Sequence, residues 1–180
     1  MNNEKKFLKK MCNFYANEIH LSTMILPFIS KKINEEAIIE TFLEKPIIED
    51  VQILVSKLNL KEDTQRKINN INWNITNICN KEKFDYYMNN LINKGNEIYF
   101  IINGKNEYIN LTNKLIEEWT NKNSKILLEN NKNVNIINCY EITQVNWDIN
   151  DILDKHDNIL NTSGVRKIEE VFDIKKNCIS

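Results

Sequence analysis

Apolar positions along this chain fall into short runs separated by helix-spaced stripes. Met11 to Tyr15 (MCNFY), Ala37 to Phe42 (AIIETF), Ile98 to Ile102 (IYFII) and Val134 to Tyr140 (VNIINCY) are runs rich in β-branched and aromatic residues. Runs of this length predict strands covered on both faces. Between them, Leu21, Met24, Ile25, Phe28 and Ile29 recur at helical spacing, as do Val51, Leu54, Val55 and Leu58. A third stripe is Phe84, Tyr87, Met88, Leu91 and Ile92, with Gly95 placed to cap it; a fourth is Tyr108, Leu111, Leu115 and Trp119, with Ile116 beside them. Pro27 predicts a kink in the first helix, because it has no amide hydrogen to donate, and Pro46 marks a break. Ile98 to Ile102 is the most continuous apolar run and reads as the central strand.

Other stretches are less regular. Lys61 to Asn70 reads as helix end and loop. Ile71, Trp73 and Ile75 alternate with Asn72 and Asn74, which predicts a strand with one wetter face. Asn121 to Asn133 reads mostly as helix end and loop, with Ile126, Leu127 and Leu128 able to extend the fourth helix. Asp148 stands where an N-cap belongs, ahead of Ile152 and Leu153, and Ile159-Leu160 forms a last extended segment. Beyond a domain spanning 1–164, Val165, Ile168, Val171 and Phe172 lie at near-helical spacing, with Lys167, Glu169 and Glu170 opposite. This extension, 165–180, suits docking to a partner and packing on its own domain equally well. The alternation predicts an α/β fold class: three layers, a mostly parallel sheet, helices on both faces and right-handed crossovers. An α+β arrangement with antiparallel last strands is the rival.

Composition narrows the function classes. A chain of 180 residues, 42% hydrophobic and 27% charged, suits one domain with a full core. A formal net charge of −1 argues against a nucleic-acid-binding face. No apolar run approaches the roughly 20 residues of a membrane span, and the N-terminus lacks the apolar stretch of a signal peptide. A cytoplasmic chain is expected. Its four cysteines, Cys12, Cys79, Cys139 and Cys178, form no CxxC pair, so neither structural zinc nor a disulfide is expected. The heavy use of Asn, Ile and Lys is what an AT-rich genome produces, so Asn-rich stretches carry little functional weight.

An open α/β sheet places its ligand at the carboxyl ends of its strands. The candidate ligand-binding residues are therefore Tyr15, Asn17, Glu18 and His20 after the first strand, Asn103 after Ile98–Ile102, and Glu141 and Trp147 after Val134–Tyr140. His156, at a helix C-terminus that favours its charged form, completes the set. A P-loop needs glycines and a Lys-Ser or Lys-Thr pair. The chain has three glycines, Gly95, Gly104 and Gly164, and after the first strand reads ANEIHLS. Nucleotide hydrolysis by that device is disfavoured. A Cys–His pair built from Cys12 or Cys139 is conceivable, but a strand cysteine usually behaves as a small buried hydrophobe. Two histidines far apart, with no carboxylate at ligand spacing, predict no metal site. Glu18, Glu40 and Glu141 near strand ends read as solvated loop charges before a converging crevice. Trp119 reads as core packing and Trp147 as a pocket wall or partner contact.

These features carry a resemblance. An apolar strand ending in Phe-Tyr (Met11 to Tyr15), an acidic segment (Asn17-Glu18) and a helix with an apolar-Pro-Phe step (Leu26-Pro27-Phe28) come first. A strand with Cys and Tyr near its end (Ile137 to Tyr140), an Ile-Leu pair (Ile152-Leu153) and a histidine (His156) before Ile159-Leu160 come last. The helix from Tyr108 to Trp119 lies between. Over roughly Lys9 to Gly164 the chain resembles the methanogen/methylotroph sensory (MEDS) domain family, a relative of RecA-like and circadian-clock ATPase domains. Lys10-Met11 stand where that family often has a histidine. The resemblance implies a RecA-like core without a P-loop, no cofactor and no catalysis. It implies a sensory or regulatory role exercised in trans on a transcriptional or kinase system. Partners would be a small ligand, a regulatory protein, or a second copy in a homodimer, without direct nucleic-acid or membrane binding. The alternative is a degenerate nucleotide-binding or thiol-dependent enzyme.

Overall fold

The computed structural model describes residues 7–77, 81–144 and 149–172. The four long apolar runs form Leu8–Tyr15 (β1), Ile38–Leu43 (β2), Glu97–Asn103 (β3) and Asn133–Glu141 (β4). Two short strands, Asn158–Asn161 (β5) and Gly164–Lys167 (β6), complete a six-stranded sheet of order β2-β3-β4-β1-β5-β6. Every neighbouring pair is parallel except β5 and β6. The antiparallel expectation of the rival fold thus holds for the last strand alone. The centre belongs to β4 and β1 rather than to Ile98–Ile102, because β1 enters between β4 and β5.

Helices Glu18–Asn34 (α1), Ile48–Lys57 (α2) and Glu62–Asn69 (α3) cover one face. There Leu21, Ile25, Ile29, Val51, Val55 and Ile68 pack with Met11, Ile101 and Ile137 of the sheet. The other face carries Lys81–Ile92 (α4), Asn106–Lys122 (α5), Ser124–Glu129 (α6), Ile149–Leu153 (α7) and Ile168–Val171 (α8). There Phe84, Met88, Ile109, Ile116, Leu127 and Ile152 meet Phe100, Ile102 and Ile136. The fold is the expected three-layer α/β arrangement. No helix among the described residues is long and apolar enough to cross a membrane.

Several local expectations are corrected. Lys61 to Asn70 is mostly the helix α3, whose acidic first turn and basic last turn complement its dipole while Thr64 and Ile68 turn inward. Ile71 to Ile75 is not a strand. Trp73 is buried and donates from Nε1 to the Ile68 carbonyl at 2.9 Å, which anchors the segment beside β2. Thr76 N then donates to the Leu43 carbonyl at 2.8 Å, Ile47 N donates to the Trp73 carbonyl at 3.0 Å, and Thr41 bonds the Asn72 carbonyl. Part of the open edge of the sheet is covered in this way. Gly95 has no left-handed backbone, so it is not an αL cap; a Cβ there would lie 2.8 Å from Ile38 Cδ1.

The buried stripe of α5 runs through Ile109, Thr112, Ile116 and Trp119, leaving Leu111 exposed, as Leu58 is after α2. Asn121 to Asn133 contains the separate helix α6, with Leu127 inward and Ile126 and Leu128 exposed. The C-terminal stripe is not one helix. Val165 lies in β6 and α8 begins at Ile168. The β5–β6 hairpin turns through Asn161, which accepts from Ser163 N at 2.9 Å, to Gly164 at φ +101°, a conformation natural only to glycine. Asp148, the expected N-cap, lies outside the described residues.

Candidate functional site

The topology singles out one place on the sheet. β1 leads into α1 on one face, while its neighbour β4 leads towards α7 on the other. Diverging connections between adjacent parallel strands open a crevice at their carboxyl ends. Tyr15, Asn17, Glu18, His20, Asn103 and Glu141 all stand at this edge.

Tyr15 ends β1 and is buried; its Oη donates to Asn103 Oδ1, at the end of β3, at 2.6 Å. Burial first, then the neighbouring Cys139 and Glu141, push the phenol well above the usual tyrosine range, so it remains a donor. Asn17 caps α1, its Oδ1 accepting from His20 N at 2.9 Å, and His20 Nδ1 accepts from Ala16 N at 3.1 Å. These side chains close the β1–α1 turn on itself. Lys45, two residues past the end of β2, reaches Glu18 at 4.0 Å and Glu141 at 3.7 Å, tying three strand ends together. Each such half-exposed pair contributes at most about 1 kcal/mol. Glu44 Oε2 accepts from Lys105 N at 2.5 Å, and Gly104 makes this approach possible, since a Cβ there would lie 2.8 Å from Glu44 Cβ. Glu40 stands apart from this edge, within β2, accepting from Tyr87 Oη at 2.5 Å.

His156 also lies elsewhere. It sits beneath α7, edge-on to Tyr140 with ring centroids 6.0 Å apart. Its Nδ1 lies 2.5 Å from the Ile152 carbonyl and its Nε2 lies 2.9 Å from Asn138 Nδ2. A neutral ring that donates from Nδ1 and accepts at Nε2 satisfies both contacts. The expectation of a charged histidine is corrected: burial pushes its pKa down from 6.5 to about 4. A helix end favours the cation by up to about 2 kcal/mol. The net shift is nonetheless downward, so desolvation outweighs the helix end. Trp147 lies outside the described residues.

Neither described cysteine is activated. Burial pushes the Cys12 thiol up to about 12 and the Cys139 thiol still higher. Asn138 is the register partner of Cys12 and already holds His156 Nε2, so both ring nitrogens of His156 are spent and this imidazole is not free to take a thiol's proton. Native Cys12 and Cys139 should react with a maleimide on the order of a hundredfold more slowly than in urea, because exposure needs an opening of the core. Mass-spectrometric counting of labels against time checks this. Rapid native labelling of Cys139 would mark an accessible thiol site.

Among the described residues no group of three or more His, Cys, Asp or Glu side chains is placed to hold a metal ion. Lys45 was missed from the sequence, although it follows a strand end just as His20 and Asn103 do. Comparisons of the chain with protein-family models, with curated proteins and with solved structures return no match.

Proposed function

We propose that this chain is a non-catalytic sensory domain that recognises a small ligand or a partner segment at the carboxyl edge of its sheet and thereby regulates another protein. The likeness to the methanogen/methylotroph sensory family stated above points the same way. One observation carries the reading: among the described residues, the two strand cysteines and His156 are already spent within the protein. The thiols of Cys12 and Cys139 are buried and protonated, and His156 is neutral with both nitrogens engaged. Two of the amides that follow β1 are engaged as well. Ala16 N donates to His20 and His20 N donates to Asn17. Each amide satisfied by the turn's own side chains is one fewer for an anion. Tyr15, Asn103, Glu18, Lys45 and Glu141 form a rim of fixed polar groups without a nucleophile–base pair, a makeup suited to recognition rather than bond breaking.

Calorimetric titration with ATP and magnesium should give no binding at micromolar affinity, and no phosphate should be released. Magnesium-dependent binding at that affinity would overturn the reading in favour of a degenerate nucleotide enzyme. Native mass spectrometry of protein purified from its own host should show a retained small molecule or partner, and Lys45→Ala with Tyr15→Phe should release it.

A further inference from the structure

The face that carries α1 also holds a groove of about 890 Å³, between α1 and the β5–β6 hairpin. Its floor is built across the strands. Tyr99, Asn135 and Lys9 share one row of the parallel register, and Met11 and Asn158 share the next. Thr23, Pro27 and Lys31 of α1 form one wall and the turn from Asn161 to Val165 forms the other. This row lies towards the amino ends of the strands, away from Tyr15 and Glu141. The groove is therefore separate from the carboxyl edge and does not depend on the reading of that edge. Its volume falls within the roughly 300–1,000 Å³ of small-molecule sites.

Charge indicates what would fill it. On a chain of formal net charge −1, the lining carries Lys9, Lys31 and Lys32 against Glu97 alone. Lys32 is engaged with Glu35 at 2.8 Å, with Glu97 at 3.7 Å and over the Tyr99 ring at 5.2 Å. Lys9 and Lys31 close no ion pair among the described residues. Asn135 spends only a long 3.4 Å contact on the Ile98 carbonyl. Further along β1, fully buried Asn13 donates to the Leu160 carbonyl at 2.9 Å and meets Met24 Sδ at 3.7 Å, and its Oδ1 has no partner. Leu160 and Met24 both line the groove. Met24, unbranched and adaptable, touches Asn13 on one side and lines the groove on the other.

We infer that this groove binds an amphipathic organic anion, its flat apolar body lying on Met11, Met24, Phe28 and Tyr99 and its acidic group between Lys9 and Lys31. The probe is 8-anilinonaphthalene-1-sulfonate, with uncharged N-phenyl-1-naphthylamine as its control, titrated by fluorescence into the intact folded chain. A saturable site is expected. The double variant Lys9→Gln, Lys31→Gln should weaken the sulfonate by about tenfold and leave the uncharged control within about twofold, as loss of two charge contacts predicts. Thr23→Trp, which fills the groove from its exposed wall, should abolish binding of both. Absence of a saturable site, equal affinity for the two probes, or sulfonate binding insensitive to the double variant and to Thr23→Trp would each overturn the inference.

Discussion

Lowering the pH from 7 to 4 is expected to reduce folding stability by about 3 kcal/mol through His156 alone, and His156→Gln should remove that component. The sign follows from proton counting. An unfolded histidine takes up its proton near 6.5, whereas buried His156 resists until about 4. Between those values the unfolded chain binds more protons, so acid favours unfolding. Above 6.5 both states hold a neutral ring and the contribution vanishes; below 4 both are protonated and the loss stays constant. The cause is geometric as well as dielectric. Protonated Nε2 would turn a hydrogen at the Asn138 Nδ2 that now donates to it, in a pocket closed by Tyr140 and α7. Urea unfolding of both proteins at a series of pH values measures the effect. Carboxylates titrate in wild type and variant alike, so the difference between the two curves isolates the histidine. A difference that stays flat from pH 7 to 4 would show that His156 is charged, or exposed, in the folded chain.

Ile168→Asp is expected to lower stability by about 3 kcal/mol, the cost of placing a carboxylate in a core contact. For a chain of this length that corresponds to about 10 °C in melting temperature. Ile168 opens α8 at 7% exposure and belongs to the same buried cluster as Ile152, Leu153 and Ile159. Val165, three residues earlier in β6, is 42% exposed, and Val165→Asp should change stability by no more than about 0.5 kcal/mol. The sequence left the 165–172 stripe equally suited to a partner and to its own domain; the burial of Ile168 favours the second. Thermal melts of the two variants test this directly. If Ile168→Asp melts with the wild type, the contact is not part of the core and the stripe is free for a partner.

Element type was largely legible along the chain, because whether a run becomes a strand or a stripe becomes a helix depends on local periodicity and on which side chains need cover. MCNFY, IYFII and VNIINCY became β1, β3 and β4 with small shifts in their ends. The candidate strand-end residues followed from the same reading, since parallel strands bring their carboxyl ends to one edge. Where periodicity was weak, the reading failed. EDTQRKIN carries a single large apolar residue, Ile68, yet forms α3, and the apparent alternation around Trp73 marks an anchor rather than a strand. Asn13, Asn135 and Asn138, given no role by the sequence reading, are all buried in the sheet.

What tertiary structure alone decided is the set of neighbours. Tyr15 and Asn103 are 88 residues apart and meet only because β1 and β3 flank β4. His156 follows a helix, as its position predicted, but its charge depends on what covers it, and Asn138, Tyr140 and α7 arrive from other parts of the chain. Strand order, and with it the separation of the carboxyl edge from the α1 groove, arises from long-range packing on two faces that no local pattern encodes. A residue's chemistry is set by the dielectric and the partners around it, and those are properties of the assembled sheet.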